Sequence, residues 1–213
     1  MCVCVCVFVI DHKSSVTTDG RGKILSLDLE MNGLEPGPHT ILELHAVLAT
    51  MDLKRIPEEK AIVIHHDTVS IKANMSSKVH KIHTKSCLLD EVSKSTISMS
   101  DAESEFINWI DRYVSPKEPI YIVGNSVWCD MSFVAFFMPR LAKRLKLIMI
   151  DITTLYYASM VLNWMPGNVT NAGMNIVGSD TTIKAKDNKV HRAKIDVNLC
   201  FQRIIDYRKW FMS

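Results

Sequence analysis

The chain has 213 residues, a length that suits one compact domain with a sizeable core. Hydrophobic residues make up 47% and charged residues 23%, a composition that is ordinary for globular proteins and excludes a disordered or fibrous chain. The net charge of +2 is too small to indicate a long basic track for nucleic acid, but it is compatible with a short anionic substrate held by metal. The six cysteines form no CxxC pair and show no zinc-type spacing, which indicates free thiols in a reducing compartment.

The N-terminal residues 1–10 are apolar, but this run is too short to span a membrane. It has neither a basic n-region nor a small-residue cleavage site, which argues against a signal peptide. Residues 11–23 are polar and typical of a linker. We therefore predict a disordered or poorly defined extension at residues 1–23 and a single domain at residues 24–213, with no membrane partner.

The first strand is predicted at residues 25–31, where apolar and polar residues alternate with a period of two. The alternation places Asp28 and Glu30 side by side on one face, and the other face is wholly apolar, as in an inner strand. Two adjacent like charges cost free energy unless a cation lies between them. An isolated Asp-x-Glu more often marks an edge strand facing water, so a metal site is indicated only if further carboxylates follow at strand ends and helix starts.

Two more strands follow after short turns, at residues 40–51 and 61–65, and predict an antiparallel meander. Helical patterns then alternate with buried strands. The sequence therefore predicts an α/β fold in which a mixed sheet, with three antiparallel strands and then parallel strands, is flanked by helices. The remaining predicted elements are two short helices in 76–94, a helix from a cap at Ser100 or Asp101 to Pro116, a strand at 120–123, a helix at 129–139, a strand at 147–152, a helix from a cap at Thr153 or Thr154 to about 163, a loop at 165–189 and a helix at 190–211.

Further candidate ligands lie downstream. Asp130 follows the strand at 120–123, at a helix start, where acids are common because the helix dipole favours them. Asp196 lies in the last helix, after His191. If both were helical they would be about 140° apart around the axis, so His191 is predicted in the preceding turn. Each residue alone has a more ordinary explanation, a solvated loop position in the case of His191, but the joint order Asp-x-Glu, Asp, His-x-x-x-x-Asp is hard to obtain by accident.

With these residues in place, the sequence resembles the DEDD exonucleases, in the subclass with a catalytic His, and within that subclass the oligoribonuclease family. The resemblance covers about residues 24–211 and implies a ribonuclease-H-like fold, in agreement with the predicted strand order. The segments that carry it are Asp-Leu-Glu-Met-Asn-Gly-Leu (28–34), His-Thr-Lys-Ser-Cys-Leu (83–88), Ser-Thr-Ile-Ser (95–98), Gly-Asn-Ser-Val-Trp-Cys-Asp (124–130), Phe-Met-Pro (137–139), Asp-Ile-Thr-Thr-Leu (151–155) and His-Arg-Ala-Lys-Ile-Asp (191–196).

The resemblance implies a catalytic site with two ions, Mg²⁺ or Mn²⁺, which prefer hard oxygen ligands and would lie about 3.5–4 Å apart. Asp28 would bridge both ions, and Glu30 and Asp196 would hold the ion that binds the nucleophile. Asp130 would reach the second ion through water. His191 would take a proton from the attacking water, since its unperturbed pKa is about 6.5.

The resemblance also implies a substrate site and a homodimer in which the partner contributes to each site. Leu34 would wedge against the terminal base, and His83 and Ser126 would lie near the phosphate and sugar. Several family positions differ here: Asn32 replaces a Thr, Lys78 a base-stacking Trp, Phe137 a Tyr, and Lys146-Leu147-Ile148 a His-Tyr-Arg. Arg144 and Lys146 are the candidates to replace the lost Arg, which caps the 5′ phosphate in the family.

The predicted function is 3′-to-5′ hydrolysis of short single-stranded oligoribonucleotides to nucleoside 5′-monophosphates, by an intracellular protein of the cytoplasm or mitochondrion. One alternative is a DEDD exonuclease acting on single-stranded DNA or longer RNA ends, which the altered substrate residues keep open. The other is a catalytically weakened nucleic-acid-binding dimer. The five catalytic-type residues argue against that last alternative, because buried unpaired acids are costly to keep without metal.

Overall fold

The structure is a computed structural model that describes residues 22–146, 148–162 and 192–211. Residues 1–21 of the predicted N-terminal extension, the loop predicted at 165–189 and His191 lie outside the described residues, whereas Lys23, predicted as the last residue of the extension, begins the first strand. The strands are β1 (Lys23–Met31), β2 (Ile41–Thr50), β3 (Lys60–Val63), β4 (Ile120–Gly124) and β5 (Ile148–Asp151).

These strands form one mixed sheet in the order β3-β2-β1-β4-β5. β1 pairs antiparallel with β2, and β2 with β3, whereas β1 pairs parallel with β4 and β4 with β5. This confirms the predicted meander followed by parallel strands. It places β1 at the centre of the sheet, where Asp28 lies opposite His45 and Glu30 opposite Glu43.

Helices flank the sheet, and among the described residues none is long and apolar enough to cross a membrane. The helices are α1 (Thr68–Ala73), α2 (Ser77–Lys85), α3 (Leu88–Lys94), α4 (Met99–Asp111), α5 (Val127–Phe137), α6 (Pro139–Leu145), α7 (Ile152–Val161) and α8 (Ala193–Phe211).

The two faces of β1 have different neighbours. Its apolar face, which includes Leu27, packs into the main core with Phe106 of α4 and Phe133 of α5. Its polar face lies under α8, where the Ser26 hydroxyl donates to the Val197 carbonyl at 3.3 Å. Asp28 and Glu30 therefore lie between the sheet and a helix, which rules out the edge-strand explanation of the Asp-x-Glu pair.

Several predicted helix starts are wrong. The N-cap of α4 is Ser98, whose hydroxyl accepts from the Asp101 N–H at 3.1 Å, rather than Ser100 or Asp101. The N-cap of α7 is Asp151, which accepts from the Thr154 N–H at 3.0 Å, in place of Thr153 or Thr154. α5 starts at Val127 instead of residue 129, α4 ends at Asp111, and α1 and α6 were not predicted.

Candidate metal centre

Three of the predicted ligands come together on the polar face of β1. Asp28 and Glu30 follow the alternation of the strand, and Asp196 comes from the first turn of α8, which crosses that face. One carboxylate oxygen from each of the three lies within 4.8 Å of the others. That spacing lets all three contact one cation.

Asp130 lies beside this group but is held differently. It occupies the first turn of α5 and is 6% exposed. Its Oδ1 accepts a hydrogen bond from the Leu29 N–H at 3.0 Å. Its negative charge is one of the causes that raise the pKa of Asp28, so the two carboxylates are close enough to repel each other.

Burial and mutual repulsion raise the pKa values of three acids at the site. Burial raises the pKa of Asp28 well above its ordinary value, and the charges of Asp130, Asp196 and Glu30 raise it further. Burial first, then Asp196 and Glu43, raise the pKa of Glu30 to about 8. Burial also raises the pKa of Asp130 to about 7. A divalent cation would reverse these shifts, and carboxylate oxygens are the ligands that Mg²⁺ and Mn²⁺ prefer, so the residues fit such an ion.

Sequence reasoning missed two neighbours of the centre, Glu43 and Arg192. Glu43 is buried on β2, directly opposite Glu30. Its two carboxylate oxygens accept from the Arg192 guanidinium at 2.6 and 2.9 Å. The Arg192 side chain is only 13% exposed, although His191, the residue before it in the sequence, is polar. The sequence does carry one signal for Glu43. Once the register of β1 and β2 is known, the alternation along β2 places Glu43 on the same face of the sheet as Glu30.

The residues predicted to bind substrate lie around the same edge of the sheet. Leu34 is 75% exposed in the turn after β1. His83 of α2 is buried, with Nε2 2.9 Å from the Met31 carbonyl and Nδ1 3.9 Å from the Glu30 carboxylate. Ser126 is half-buried at the start of α5, with its N–H directed at Thr153 Oγ1 at 3.1 Å. Their roles in binding stay predictions.

Asn32, one of the departures from the family, holds the turn that carries Leu34. Its Nδ2 donates to the Ile71 carbonyl at 3.0 Å, and its Oδ1 accepts from the Thr40 N–H at 2.6 Å. A side chain at position 33 would require the His39 ring to move, because a Cβ on Gly33 would lie 2.1 Å from that ring.

Arg144 does not replace the phosphate-binding arginine. Its Nε donates to Asp111 at 2.8 Å, and its Nη2 donates to the carbonyls of Val114 and Ser115 at 2.7 and 3.1 Å. These bonds tie α6 to the end of α4. Ile148, at the family's arginine position, is 38% exposed. Lys146 is exposed and stays a candidate.

Comparison with known proteins agrees with this geometry. A family profile described as Exonuclease matches residues 25–201. Oligoribonuclease of Corynebacterium diphtheriae is 32% identical over 195 residues, which cover 90% of this chain and 84% of that protein. The chain belongs to the oligoribonuclease family. Oligoribonuclease of Thiobacillus denitrificans is 35% identical over 68% of this chain and 77% of that protein, and the probable oligoribonuclease of Schizosaccharomyces pombe is 28% identical over 88% and 68%.

Solved structures support the fold of this oligoribonuclease family member. The zinc-bound E. coli exonuclease I–single-stranded DNA complex superposes with a TM-score of 0.59 at 13% identity, over 88% of this chain and 41% of that one. Exonuclease I without ligand gives a TM-score of 0.59 at the same identity, over 86% of this chain. The chain thus spans about two fifths of those structures, and the likeness concerns the nuclease fold.

Proposed function

We propose that the protein is a metal-dependent 3′-to-5′ exoribonuclease that hydrolyses short oligoribonucleotides to nucleoside 5′-monophosphates. One observation carries the proposal. In a member of the oligoribonuclease family, the carboxylate oxygens of Asp28, Glu30 and Asp196 lie within 4.8 Å of one another on a sheet face covered by a helix. Three acids in such a place are costly unless they bind a cation.

In this proposal Asp28, Glu30, Asp130 and Asp196 hold Mg²⁺ or Mn²⁺, two ions per site. The bound cations would lower the pKa of a water molecule and stabilise the charge of the leaving oxygen. His191 accepts the proton of the attacking water. His191 directly precedes Arg192 in the sequence, and the Arg192 side chain binds Glu43, which lies opposite Glu30. This supports the assignment.

The same proposal includes a weaker preference for dinucleotides than the family shows. A site that selects dinucleotides needs a stacked base on one side and a cationic cap on the 5′ phosphate on the other. Stacking on an aromatic ring contributes about 1–3 kcal/mol, and Lys78 provides no ring. The Arg144 guanidinium donates to Asp111 of α4, and Ile148 has no charge, so neither residue provides a cation for the 5′ phosphate. Both losses weaken the binding of a dinucleotide more than the binding of a longer RNA, because a longer RNA has further phosphates that can contact the protein.

The test is digestion of end-labelled RNAs of two, three, five and seven residues, and of matched DNAs, with Mg²⁺ or Mn²⁺ under one salt condition. We expect metal-dependent release of 5′-mononucleotides from the 3′ end, with kcat/KM that varies little with RNA length. His191→Ala is the matched variant, with kcat lowered by about 10²–10⁴-fold and binding largely intact.

Faster hydrolysis of DNA would instead support the alternative exonuclease. Absence of turnover with either metal would support the weakened nucleic-acid-binding protein. A steep peak at the dinucleotide would show that Lys146 or another cation rebuilds the phosphate cap. Unchanged turnover in the His191 variant would remove that residue from the mechanism.

The proposal also includes a homodimer and a cytoplasmic or mitochondrial location. Large apolar side chains are exposed on α5, with Trp128 at 64% and Phe136 at 60%. Exposed large apolar side chains are common at interaction surfaces, and a second copy is the simplest partner for a symmetric assembly.

A further inference from the structure

We propose that Arg192 is a positioning residue, which fixes the first turn of α8, and with it the Asp196 carboxylate, by binding Glu43 and Glu91 at the same time. The inference rests on the proposed function for its effect on turnover. Its effect on metal binding is independent of the substrate.

The contacts of Arg192 use the whole guanidinium fork. Nε and Nη2 donate to the two oxygens of Glu43 on β2, at 2.9 and 2.6 Å. Nη1 and Nη2 donate to the two oxygens of Glu91 on α3, at 2.8 and 2.7 Å. Paired, charge-assisted bonds of this geometry are among the stronger and more directional hydrogen bonds in proteins. The residue that precedes α8 is therefore attached to both the sheet and a neighbouring helix.

This attachment acts on Asp196 through the helix backbone. The Arg192 carbonyl accepts from the N–H groups of Ile195 and Asp196, at 2.9 and 3.4 Å, so it belongs to the first turn of α8. The Ala193 N–H donates to Glu43 at 3.3 Å. Displacement of Arg192 would move the turn that places Asp196 opposite Asp28 and Glu30.

Arg192 also keeps Glu43 out of the acid group. Glu43 faces Glu30 across the strand pair, and its charge is one of the causes that raise the pKa of Glu30. The bonds to Arg192 and to the Ala193 N–H engage both Glu43 oxygens. Without them, an uncompensated buried carboxylate would lie beside the metal ligands and compete with them for the cation.

The geometry makes a specific demand for arginine. A lysine keeps the charge but presents a single ammonium group, which cannot form paired bonds with two carboxylates. Arg192→Lys therefore keeps the positive charge at this position and removes the paired hydrogen bonds that orient the first turn of α8. Glu91→Gln weakens the same attachment from the α3 side without touching β2. Arg140→Lys is the matched control, because Arg140 binds Glu103 at 2.7 Å in a cluster formed by α4 and α6, outside the metal centre.

The experiment compares the wild type with these three full-length variants by calorimetric titration with Mn²⁺ and by steady-state kinetics on a five-residue RNA. We expect Arg192→Lys and Glu91→Gln to lower Mn²⁺ affinity or kcat by about 10–100-fold, as is typical for residues that orient metal ligands. KM for the RNA should change little, and Arg140→Lys should match the wild type in both assays.

A chemical rescue distinguishes positioning from general loss of structure. In Arg192→Ala, added guanidinium ion at concentrations too low to denature should restore part of the Mn²⁺ affinity, whereas it should not restore Asp196→Asn. Wild-type affinity and kcat in Arg192→Lys would overturn the proposal. If the wild type fails to cleave RNA, the proposed function fails, and the Mn²⁺ titrations still decide the role of Arg192.

Discussion

At the residue scale, Glu30 connects the fold to the chemistry. Its position on the central strand is fixed by the hydrogen bonds of β1 to β2, and α8 removes it from water. Burial is the first cause of its raised pKa, and the carboxylates of Asp196 and Glu43 add to the shift. The folded chain therefore favours a protonated Glu30 or a bound cation, and these two compete for the same oxygens.

This competition predicts a pH-dependent stability. The pKa of Glu30 rises on folding from 4.5 to about 8, so the folded state binds the proton more tightly than the unfolded state. The resulting stabilisation is complete below about pH 4.5 and is lost as the pH rises through about 8. The pKa values of Asp28 and Asp130 are raised in the same direction. We expect the Tm of metal-free protein in EDTA to fall over this window, and Mg²⁺ or Mn²⁺ to raise Tm most at its upper end.

The matched variant for this test is Glu30→Gln, which removes the titrating group and should flatten the decrease in Tm. It should also reduce the stabilisation by metal at pH 8. A metal-free Tm that rises between pH 5 and 8, or a metal effect that is independent of pH, would contradict the electrostatic account of the site.

The residues of the centre differ in how far the sequence predicts them. Asp28 and Glu30 follow from the period-two alternation within one strand. Glu43 belongs to the site because of the register between β1 and β2, which strand periodicity alone does not specify. Arg192 reaches Glu43 across 149 positions of the chain, and only the packing of α8 on the sheet determines that contact.

At the element scale, α6 shows how one buried acid can start a helix. Glu103 of α4 is 5% exposed, and its Oε1 accepts from the N–H groups of Arg140 and Leu141 at 2.7 and 3.1 Å. Those N–H groups belong to the first turn of α6, where they have no partner within the helix. Pro139 at the first position fits the same start, because it has no N–H to satisfy.

We expect Glu103→Ala to destabilise the protein by about 1–3 kcal/mol, because it leaves these buried N–H groups unpaired. The measurement is urea denaturation followed by circular dichroism. Glu105→Ala on the same helix is the control, since Glu105 is an exposed partner of Lys60 and should cost about 0–1 kcal/mol. Equal losses in the two variants would show that Glu103 does not cap α6.

Helix boundaries were the least predictable part of the fold. Ser98, Ser100 and Asp101 all have side chains suited to an N-cap, and the sequence rule does not choose among them. In the structure Ser98 caps α4 and Asp101 lies in its first turn, where the Ser98 hydroxyl donates to it at 2.6 Å. α6 was missed because Pro139 signals the end of α5 as well as the start of a new helix, and its cap comes from a distant helix.

At the scale of the whole molecule, the sheet topology brings the acids to one edge. β1 and β4 are parallel, so their carboxyl ends lie at the same side of the sheet. Asp28 and Glu30 are in the second half of β1, and Asp130 is in the helix that follows β4. This convergence could be predicted once the strand order was inferred. The position of Asp196 could not be predicted, because residues 162–192 separate α7 from α8 and their sequence does not determine where α8 packs.

Three neighbouring elements, β5, α7 and α5, expose several large apolar side chains. β5 is an edge strand of the described sheet, it leads directly into α7, and α5 packs beside it. Monomeric proteins rarely expose large apolar patches, and those that occur mark interaction sites. The exposed apolar side chains of these three elements are Trp128, Phe136, Ile148, Met149, Tyr157, Met160 and Val161.

The last prediction is that two copies of the chain pair through this surface. A two-fold symmetric dimer uses the same patch from each copy, so each apolar side chain of the patch contributes buried area in both copies. A stable interface buries about 1,200–2,000 Å² in total, and aromatic residues supply most of the energy at its centre.

We expect the wild type at micromolar concentration to have twice the 24.1 kDa chain mass by light scattering. Trp128→Glu combined with Phe136→Glu should give a folded monomer, because the new charges would have to be desolvated in the interface. Val69→Glu is the control on α1, where Val69 is 76% exposed, and it should remain a dimer. A monomeric wild type would refute the dimer, and a dimeric double variant would place the interface on another surface.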